Sequence, residues 1–190
     1  MAKKVGVLAL QGAFIEHIRV IRELGAEAFP VRLPCELDGL DGLVIPGGES
    51  TTMSRLMLDY RLTDRLRGLA RDGLPIMGTC AGMILLAKRV MDMDVEPLGI
   101  MDIDVRRNAF GRQVDSFETD IEMPAFGETP FHAVFIRAPV IERVGDGVEV
   151  LARLPDGTAV AARGGDMICS SFHPELTSDP RFHAYFLGAI

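Results

Sequence analysis

Pro75-Ile76-Met77-Gly78-Thr79-Cys80-Ala81-Gly82-Met83-Ile84-Leu85-Leu86 is the stretch that decides how this chain is read. An apolar strand runs into Gly-x-Cys-x-Gly and then into an apolar helix. That is the form of a nucleophile elbow with cysteine in the place of serine. The turn is so tight that side chains flanking the central residue would collide with sheet or helix, which accounts for a glycine on either side. The sulfur is then expected on a strained corner at the C-terminal edge of a sheet, where crevices form in open α/β folds. A thiol at a helix N-terminus also faces the positive end of the macrodipole, which favours its thiolate. Taken alone, the same residues also suit a buried structural cysteine beside an ordinary βα turn.

Outward from the elbow, the first half of the chain alternates strand and helix. Residues 5–10 are a continuous apolar run, as in a strand buried on both faces. A helix follows with Phe14, Ile18, Ile21 and Leu24 on one stripe and Gly25 at its C-terminal end. Residues 28–33 read as a strand that Pro30 confines to a sheet edge. Residues 40–45 read as a third strand, running into Pro46-Gly47-Gly48. Ser50 or Thr51 caps a helix to about residue 59, another spans 63–71, and Gly73 breaks it before a strand at 74–78. The apolar helix after the elbow is expected over 81–91.

The second half reads as strands at 100–106, 114–121, 133–137, 148–154, 159–163 and 167–172, with a closing helix at 179–187. Pro155-Asp156-Gly157 is a hairpin turn between two of these strands. Together the halves predict a three-layer α/β fold: a mostly parallel central sheet flanked by helices, with an antiparallel extension. No repeat, linker or low-complexity stretch interrupts the 190 residues, so one domain spanning 1–190 is expected.

The bulk numbers narrow the class. Apolar residues make up 48% and charged residues 25%, ordinary for a globular protein, and the net charge is -7. An acidic chain without a Lys/Arg run argues against nucleic acid or an anionic membrane as partner. Lys3-Lys4 before an apolar run superficially resembles a signal peptide. The run is too short, and it leads into an amphipathic segment bearing Glu16, His17 and Arg19, so a first strand is the better reading. No stretch approaches the ~18–20 apolar residues of a membrane span. Cys35, Cys80 and Cys169 lack metal-type spacing, so reduced thiols in a cytoplasmic protein without bound metal are expected.

Two further pieces surround Cys80. In Ser170-Ser171-Phe172-His173-Pro174-Glu175, an extended backbone projects residues 173 and 175 to the same side, and Pro174 keeps His173 out of the helical region. Glu175 can then orient His173, and His173 can take the proton of Cys80, which is nucleophile–base–orienter logic. His-x-Glu alone also suits a surface histidine beside a carboxylate; the elbow is what turns the reading. Pro46-Gly47-Gly48-Glu49-Ser50 lies between a strand and a helix, where neighbouring glycines let backbone N–H groups approach a ligand. With the N–H of Ala81 as second donor, this loop suits an oxyanion hole. A phosphate loop is the rival reading, and the absence of a Gly-Lys-Ser/Thr ending and of Gly-x-Gly-x-x-Gly argues against it; taken alone, the same residues also suit a plain turn.

These three pieces resemble the class I glutamine amidotransferases. The likeness extends over residues 6–176 through Gly6-Val7-Leu8-Ala9-Leu10-Gln11-Gly12, Pro46-Gly47-Gly48-Glu49-Ser50-Thr51-Thr52-Met53 and Gly78-Thr79-Cys80-Ala81-Gly82. Arg107-Asn108-Ala109-Phe110-Gly111-Arg112-Gln113-Val114-Asp115-Ser116-Phe117, Phe135-Ile136-Arg137-Ala138-Pro139 and Ser171-Phe172-His173-Pro174-Glu175-Leu176 complete the set. The branch that these blocks resemble is the glutaminase subunit of pyridoxal 5′-phosphate synthase, with the Arg107–Phe117 block as its most specific mark.

The resemblance implies a catalytic triad of Cys80, His173 and Glu175, and a glutamine site at Gly47, Gly48, Glu49, Arg107, Ile136 and Arg137. It implies an oxyanion hole at Gly48 and Ala81, with Gln11 and Gly12 tied to its completion when a partner docks. An arginine such as Arg107 can hold the substrate α-carboxylate by a charge-assisted hydrogen bond. The implied activity is hydrolysis of L-glutamine to L-glutamate and ammonia, without a cofactor. The implied partner is a synthase subunit within a large ring-shaped hetero-oligomer. Many relatives carry a somewhat longer terminal helix than one ending at Ile190, which is expected to affect one edge of the partner surface. Three rivals stand beside this reading: a glutaminase feeding another synthase, a Cys-elbow hydrolase or stress protein of related fold, and a non-catalytic binding partner.

Overall fold

The computed structural model describes residues 2–91, 95–107 and 116–190. β1 (Lys4–Leu8) is flanked by β2 (Glu27–Val31) and β3 (Gly42–Ile45), parallel to both. α1 (Phe14–Glu23) connects the first pair, and Gly25 follows it at φ 85°, a left-handed conformation that suits glycine at a helix end. α2 (Ser50–Asp59) and α3 (Leu62–Arg71) lead from β3 to β4 (Ile76–Thr79), and α4 (Ala81–Leu86) follows the elbow. The remaining elements are β5 (Ala87–Met91), β6 (Met101–Arg106), β7 (Ser116–Ile121), β8 (Phe131–Ile136), β9 (Val140–Val144), β10 (Val148–Arg153), β11 (Ala159–Gly164), β12 (Met167–Ser170) and α5 (Arg181–Ala189).

A ten-stranded sheet runs in the order β2-β1-β3-β4-β12-β11-β9-β6-β5, with β10 paired to β11 off this path. It is parallel from β2 to β12 and antiparallel at β12–β11, β11–β9 and β9–β6. Strand periodicity sends alternate residues into opposite layers. Leu43, Ile45 and Ile76 join α2, α3 and α4 on one face, while Val44 and Met77 join Ile21 of α1 and Phe182 and Phe186 of α5 on the other. This is the three-layer α/β sandwich expected, with Pro30 on the edge strand β2.

β12 positions the site. It returns from the far end of the chain to lie parallel to β4, with Ser170 in register with Thr79. The segments that follow these two residues, one bearing Cys80 and the other His173, therefore leave the sheet side by side.

Four expectations change. The helix after the elbow ends at Leu86, not 91, because the N–H groups of Leu98 and Ile100 take the carbonyls of Leu85 and Leu86. The chain continues instead as β5, parallel to β6. An apolar run of this length fits either element, and the pairing partner decides. β9 was not foreseen, since Glu142 and Arg143 interrupt its apolar pattern. β7 and β8 form a separate two-stranded antiparallel sheet and do not extend the central one. The last strand stops at Ser170, before His173. Residues 114 and 115 of the expected 114–121 strand lie outside the described residues. Among the described residues, no helix is long and apolar enough to cross a membrane.

Candidate active site

Cys80 sits between β4 and α4 with φ 50° and ψ -104°, a conformation that costs a non-glycine residue of order 1–3 kcal/mol. Its backbone N–H donates to Ser170 O at 2.8 Å, tying the corner to the end of β12. The flanking glycines are needed sterically. A Cβ on Gly78 would stand 2.6 Å from a methyl of Leu86 and 2.8 Å from the Gly82 carbonyl carbon. One on Gly82 would overlap the Ile45 carbonyl oxygen and lie 2.9 Å from its carbon. The elbow read from the sequence is present, and the collisions are those expected.

His173 reaches the same point from β12. Its N–H donates to Val134 O at 2.8 Å, and its φ of -104° is non-helical, as Pro174 requires. Residues 174–176 form a 3₁₀ turn rather than an extended strand, so the proximity of His173 and Glu175 comes from the turn and not from strand alternation. His173 Nδ1 lies 2.7 Å from Glu175 Oε1. Burial works against a charge on His173, but its hydrogen bonds to Cys80 and Glu175 overcome that and raise its pKa to about 10. Burial opposes the charge of Glu175 too, yet the histidines beside it hold its pKa below the ordinary carboxylate value. The geometry therefore favours an imidazolium on His173 beside the Glu175 carboxylate.

The glycine loop closes the site from the β3 side. A Cβ on Gly47 would overlap Cε1 of His173 and stand 3.0 Å from its Nδ1, so only glycine lets the ring lie against the loop. Gly12 has φ 97°, and a Cβ there would overlap the Gly47 carbonyl. The loop after β1 and the loop after β3 thus pack backbone to backbone. The Ala13 N–H donates to Gly47 O at 3.1 Å, and the Glu49 N–H donates to Gln11 Oε1 at 2.6 Å.

Glu49, not Ser50 or Thr51, caps α2. Its carboxylate accepts the N–H groups of Thr51 and Thr52 and the Thr52 hydroxyl. The long side chain folds back over the first turn, leaving Ser50 inside the helix. Burial opposes the Glu49 charge, but these hydrogen bonds outweigh it and lower the pKa to about 2. Arg107 Nη1 approaches Glu49 Oε1 at 3.5 Å and Thr51 Oγ1 at 3.4 Å.

A cleft of about 370 Å³ gathers Gln11, Gly48, Glu49, Cys80, Ala81, Arg107, Ile136, Arg137 and His173 around one space. The Cys80 thiol points toward Ile136 O at 3.8 Å, and Arg137 takes φ 44° where the chain turns out of β8. Gly12, Gly47 and Glu175 stand behind this lining as its support. The candidate triad, glutamine-site and oxyanion-hole residues are thus at the cleft or directly behind it. Asn108–Asp115, most of the most specific sequence block, lies outside the described residues.

The sequence reading missed two groups. Ser50 lines the cleft, and its buried hydroxyl has no hydrogen-bond partner among the described residues. His17 of α1 lies 3.3 Å from Glu175 Oε2, where sequence pattern alone marks it only as a polar residue on an amphipathic helix. Among the described residues, no group of three or more His, Cys, Asp or Glu side chains is arranged to hold a metal ion.

The class of protein follows from a solved structure. A crystal structure of a glutamine amidotransferase matches this chain with a TM-score of 0.92 at 52% identity, over 97% of both chains. The chain belongs to the SNO glutamine amidotransferase family, whose model matches residues 7–190. It is similar to the pyridoxal 5′-phosphate synthase subunit PdxT of Herpetosiphon aurantiacus, at 58% identity over 97% of this chain and 98% of that protein. The subunit of the same name from Corynebacterium jeikeium is 59% identical over 98% of this chain and 96% of that protein.

Proposed function

We propose that this chain is the glutaminase subunit of a pyridoxal 5′-phosphate synthase, hydrolysing L-glutamine to L-glutamate and ammonia with Cys80 as nucleophile. The observation that carries this reading is the strained Cys80 corner facing a His173 ring that Glu175 holds at 2.7 Å. The thiolate attacks the side-chain amide carbon of glutamine, forming a C–S bond and an oxyanion. Backbone N–H groups of Gly48 and Ala81 receive that oxyanion; one such donor is typically worth ~3–4 kcal/mol. The intermediate collapses with cleavage of the C–N bond, and His173 protonates the leaving nitrogen, releasing ammonia. Water, losing a proton to His173, then cleaves the γ-glutamyl thioester and returns the thiol.

At the other end of the substrate, Arg107 pairs with the α-carboxylate. Glu49 offers a carboxylate to the α-ammonium, and the backbone around Gly47, Ile136 and Arg137 fixes the remaining polar atoms. Gln11 and Gly12 complete the oxyanion hole from the β1 loop when the synthase docks. Ammonia that reached water would be protonated, so the product is handed to a docked synthase subunit within a ring-shaped hetero-oligomer. A reduced thiol as nucleophile fits a cytoplasmic protein. The two curated relatives support this partner, and the near-complete mutual coverage supports a single catalytic domain over residues 1–190.

The test is ammonia release from glutamine by the chain alone and with a synthase subunit. Slow release alone and much faster release in the mixture is the expected result. Turnover indifferent to the synthase would contradict the partner, and no turnover in either condition would contradict the activity.

A further inference from the structure

Behind the cleft lie two buried histidines outside the proposed chemistry, one against Glu175 and the second against the first. His17 on α1 and His183 on α5 are wholly inaccessible, and Glu175 is 1% exposed. His17 Nδ1 lies 2.8 Å from His183 Nε2, while its Nε2 lies 3.1 Å from Thr79 Oγ1 and 3.3 Å from Glu175 Oε2. Glu175 commits Oε1 to His173, and no donor among the described residues is aligned on Oε2. A buried carboxylate oxygen left without a donor is costly. His17 Nε2, at 3.3 Å, is the donor-capable atom within contact distance of it.

The protons on this chain of groups can be assigned. Burial lowers the pKa of His17 although Glu175 opposes the shift, and burial with His17 nearby pushes His183 down to about 3. Both rings are therefore neutral near pH 7, and each carries one N–H. With the His17 hydrogen on Nε2, it faces Glu175 and Thr79, and Nδ1 accepts from the Nε2–H of His183. His183 Nδ1 then bears only a lone pair, and it is the ring atom without a partner among the described residues. The opposite assignment turns a lone pair of His17 toward the carboxylate. It also leaves an orphaned N–H on His183 in a dry interior, which is the more costly outcome.

We propose that His17 is a positioning residue for Glu175, its Nε2–H, seated by His183, holding Oε2 so that Oε1 stays on His173. The inference rests on the Cys80–His173–Glu175 reading above. Thr79 precedes Cys80, so the same ring touches both the orienting carboxylate and the base of the elbow. The inference links the α1–α5 layer to the chemistry on the sheet edge.

The first measurement needs no variant: nitrogen-15 spectra of histidine-labelled full-length chain, assigned with single-histidine substitutions, report the tautomer of each ring. His17 is expected in the neutral Nε2–H form near pH 7; a neutral Nδ1–H form would overturn the inference. The second is glutamine turnover in the complex with the synthase. Losing one hydrogen bond to a charged group, His17→Phe should lower kcat about 10- to 100-fold. KM for glutamine should stay within about twofold, since the lost contact does not touch substrate. His17→Gln, whose amide can place an N–H near Nε2, should recover kcat to within about threefold of the wild type. A purely structural role predicts a lowered melting temperature in both variants with kcat of the folded protein unchanged, and that result overturns the proposal. If His17→Phe does not fold, the tautomer and the His17→Gln turnover still decide. Cys80→Ala run in parallel separates the two readings: full activity there defeats the triad, whereas the His17 tautomer is read independently.

Discussion

Replacing Gly47 with alanine should lower activity far more than stability. The added Cβ would overlap Cε1 of His173 and stand 3.0 Å from Nδ1, where carbon contacts ordinarily need ~3.5–4.0 Å. The loop is pinned by the Ala13 N–H on its carbonyl, so the ring is the part that gives. A retreat of about 1 Å stretches the 2.7 Å contact to Glu175 beyond hydrogen-bond range and withdraws the base from Cys80. Misplacement on that scale lowers turnover about 100-fold, and loss of the orienting partner in a triad lowers it up to about 10⁴-fold. Stability should fall by no more than about 2–3 kcal/mol. The local strain of about 1–3 kcal/mol is partly offset by about 0.4–1 kcal/mol from the stiffer unfolded chain. The assay is ammonia release in the presence of the synthase, with a thermal melt of the same preparation. Turnover within threefold of the wild type, with the melt unchanged, would refute the packing argument and the placement of His173 that rests on it.

Other outcomes follow from the same contacts. Phe172 is fully buried, with ring centroids of Phe131, Phe135 and Phe182 at 5.5, 5.7 and 5.5 Å; Phe172→Ala should cost about 3–5 kcal/mol in a urea titration. Glu49→Ala removes the cap of α2, lowering stability by about 1 kcal/mol, and should raise KM for glutamine in steady-state kinetics. Stability should also fall in mild acid. His183 is neutral in the fold with a pKa of about 3, so as pH drops below the unfolded value near 6.5 only the unfolded chain gains the proton. Each pH unit through that window then costs about 1.4 kcal/mol, a slope that His183→Gln should flatten when urea midpoints at pH 7 and pH 5 are compared. A slope unchanged in that variant would remove His183 as its source.

What the sequence made legible is what short-range sterics dictate. Gly78 and Gly82 flank Cys80 because neither position tolerates a Cβ, and that demand is local enough to read from spacing. Pro30 marked an edge strand for an equally local reason, its missing N–H. The termination of α4 was hidden, because Leu98 and Ile100 decide it from beyond the helix and an apolar run does not record its pairing partner. The carboxylate–histidine proximity was anticipated, but through an extended backbone where a 3₁₀ turn stands. His17 was invisible as part of the site. Its partner His183 lies 166 positions away, and only the packing of α1 against α5 brings them together. Glu49 lines the cleft and also caps α2, a duty that the sequence assigned to its neighbours; side-chain reach, not residue type, settles such a choice.

The central claim is that Cys80 is the nucleophile, and the most direct test is ammonia release from glutamine by Cys80→Ala in complex with the synthase, beside the wild type. The account predicts release at the uncatalysed background for the variant, with its melt and its binding to the synthase intact. It also predicts a glutamyl adduct on the Cys80 peptide of the wild type after acid quench during turnover. Wild-type ammonia release by a well-folded Cys80→Ala variant would contradict the account.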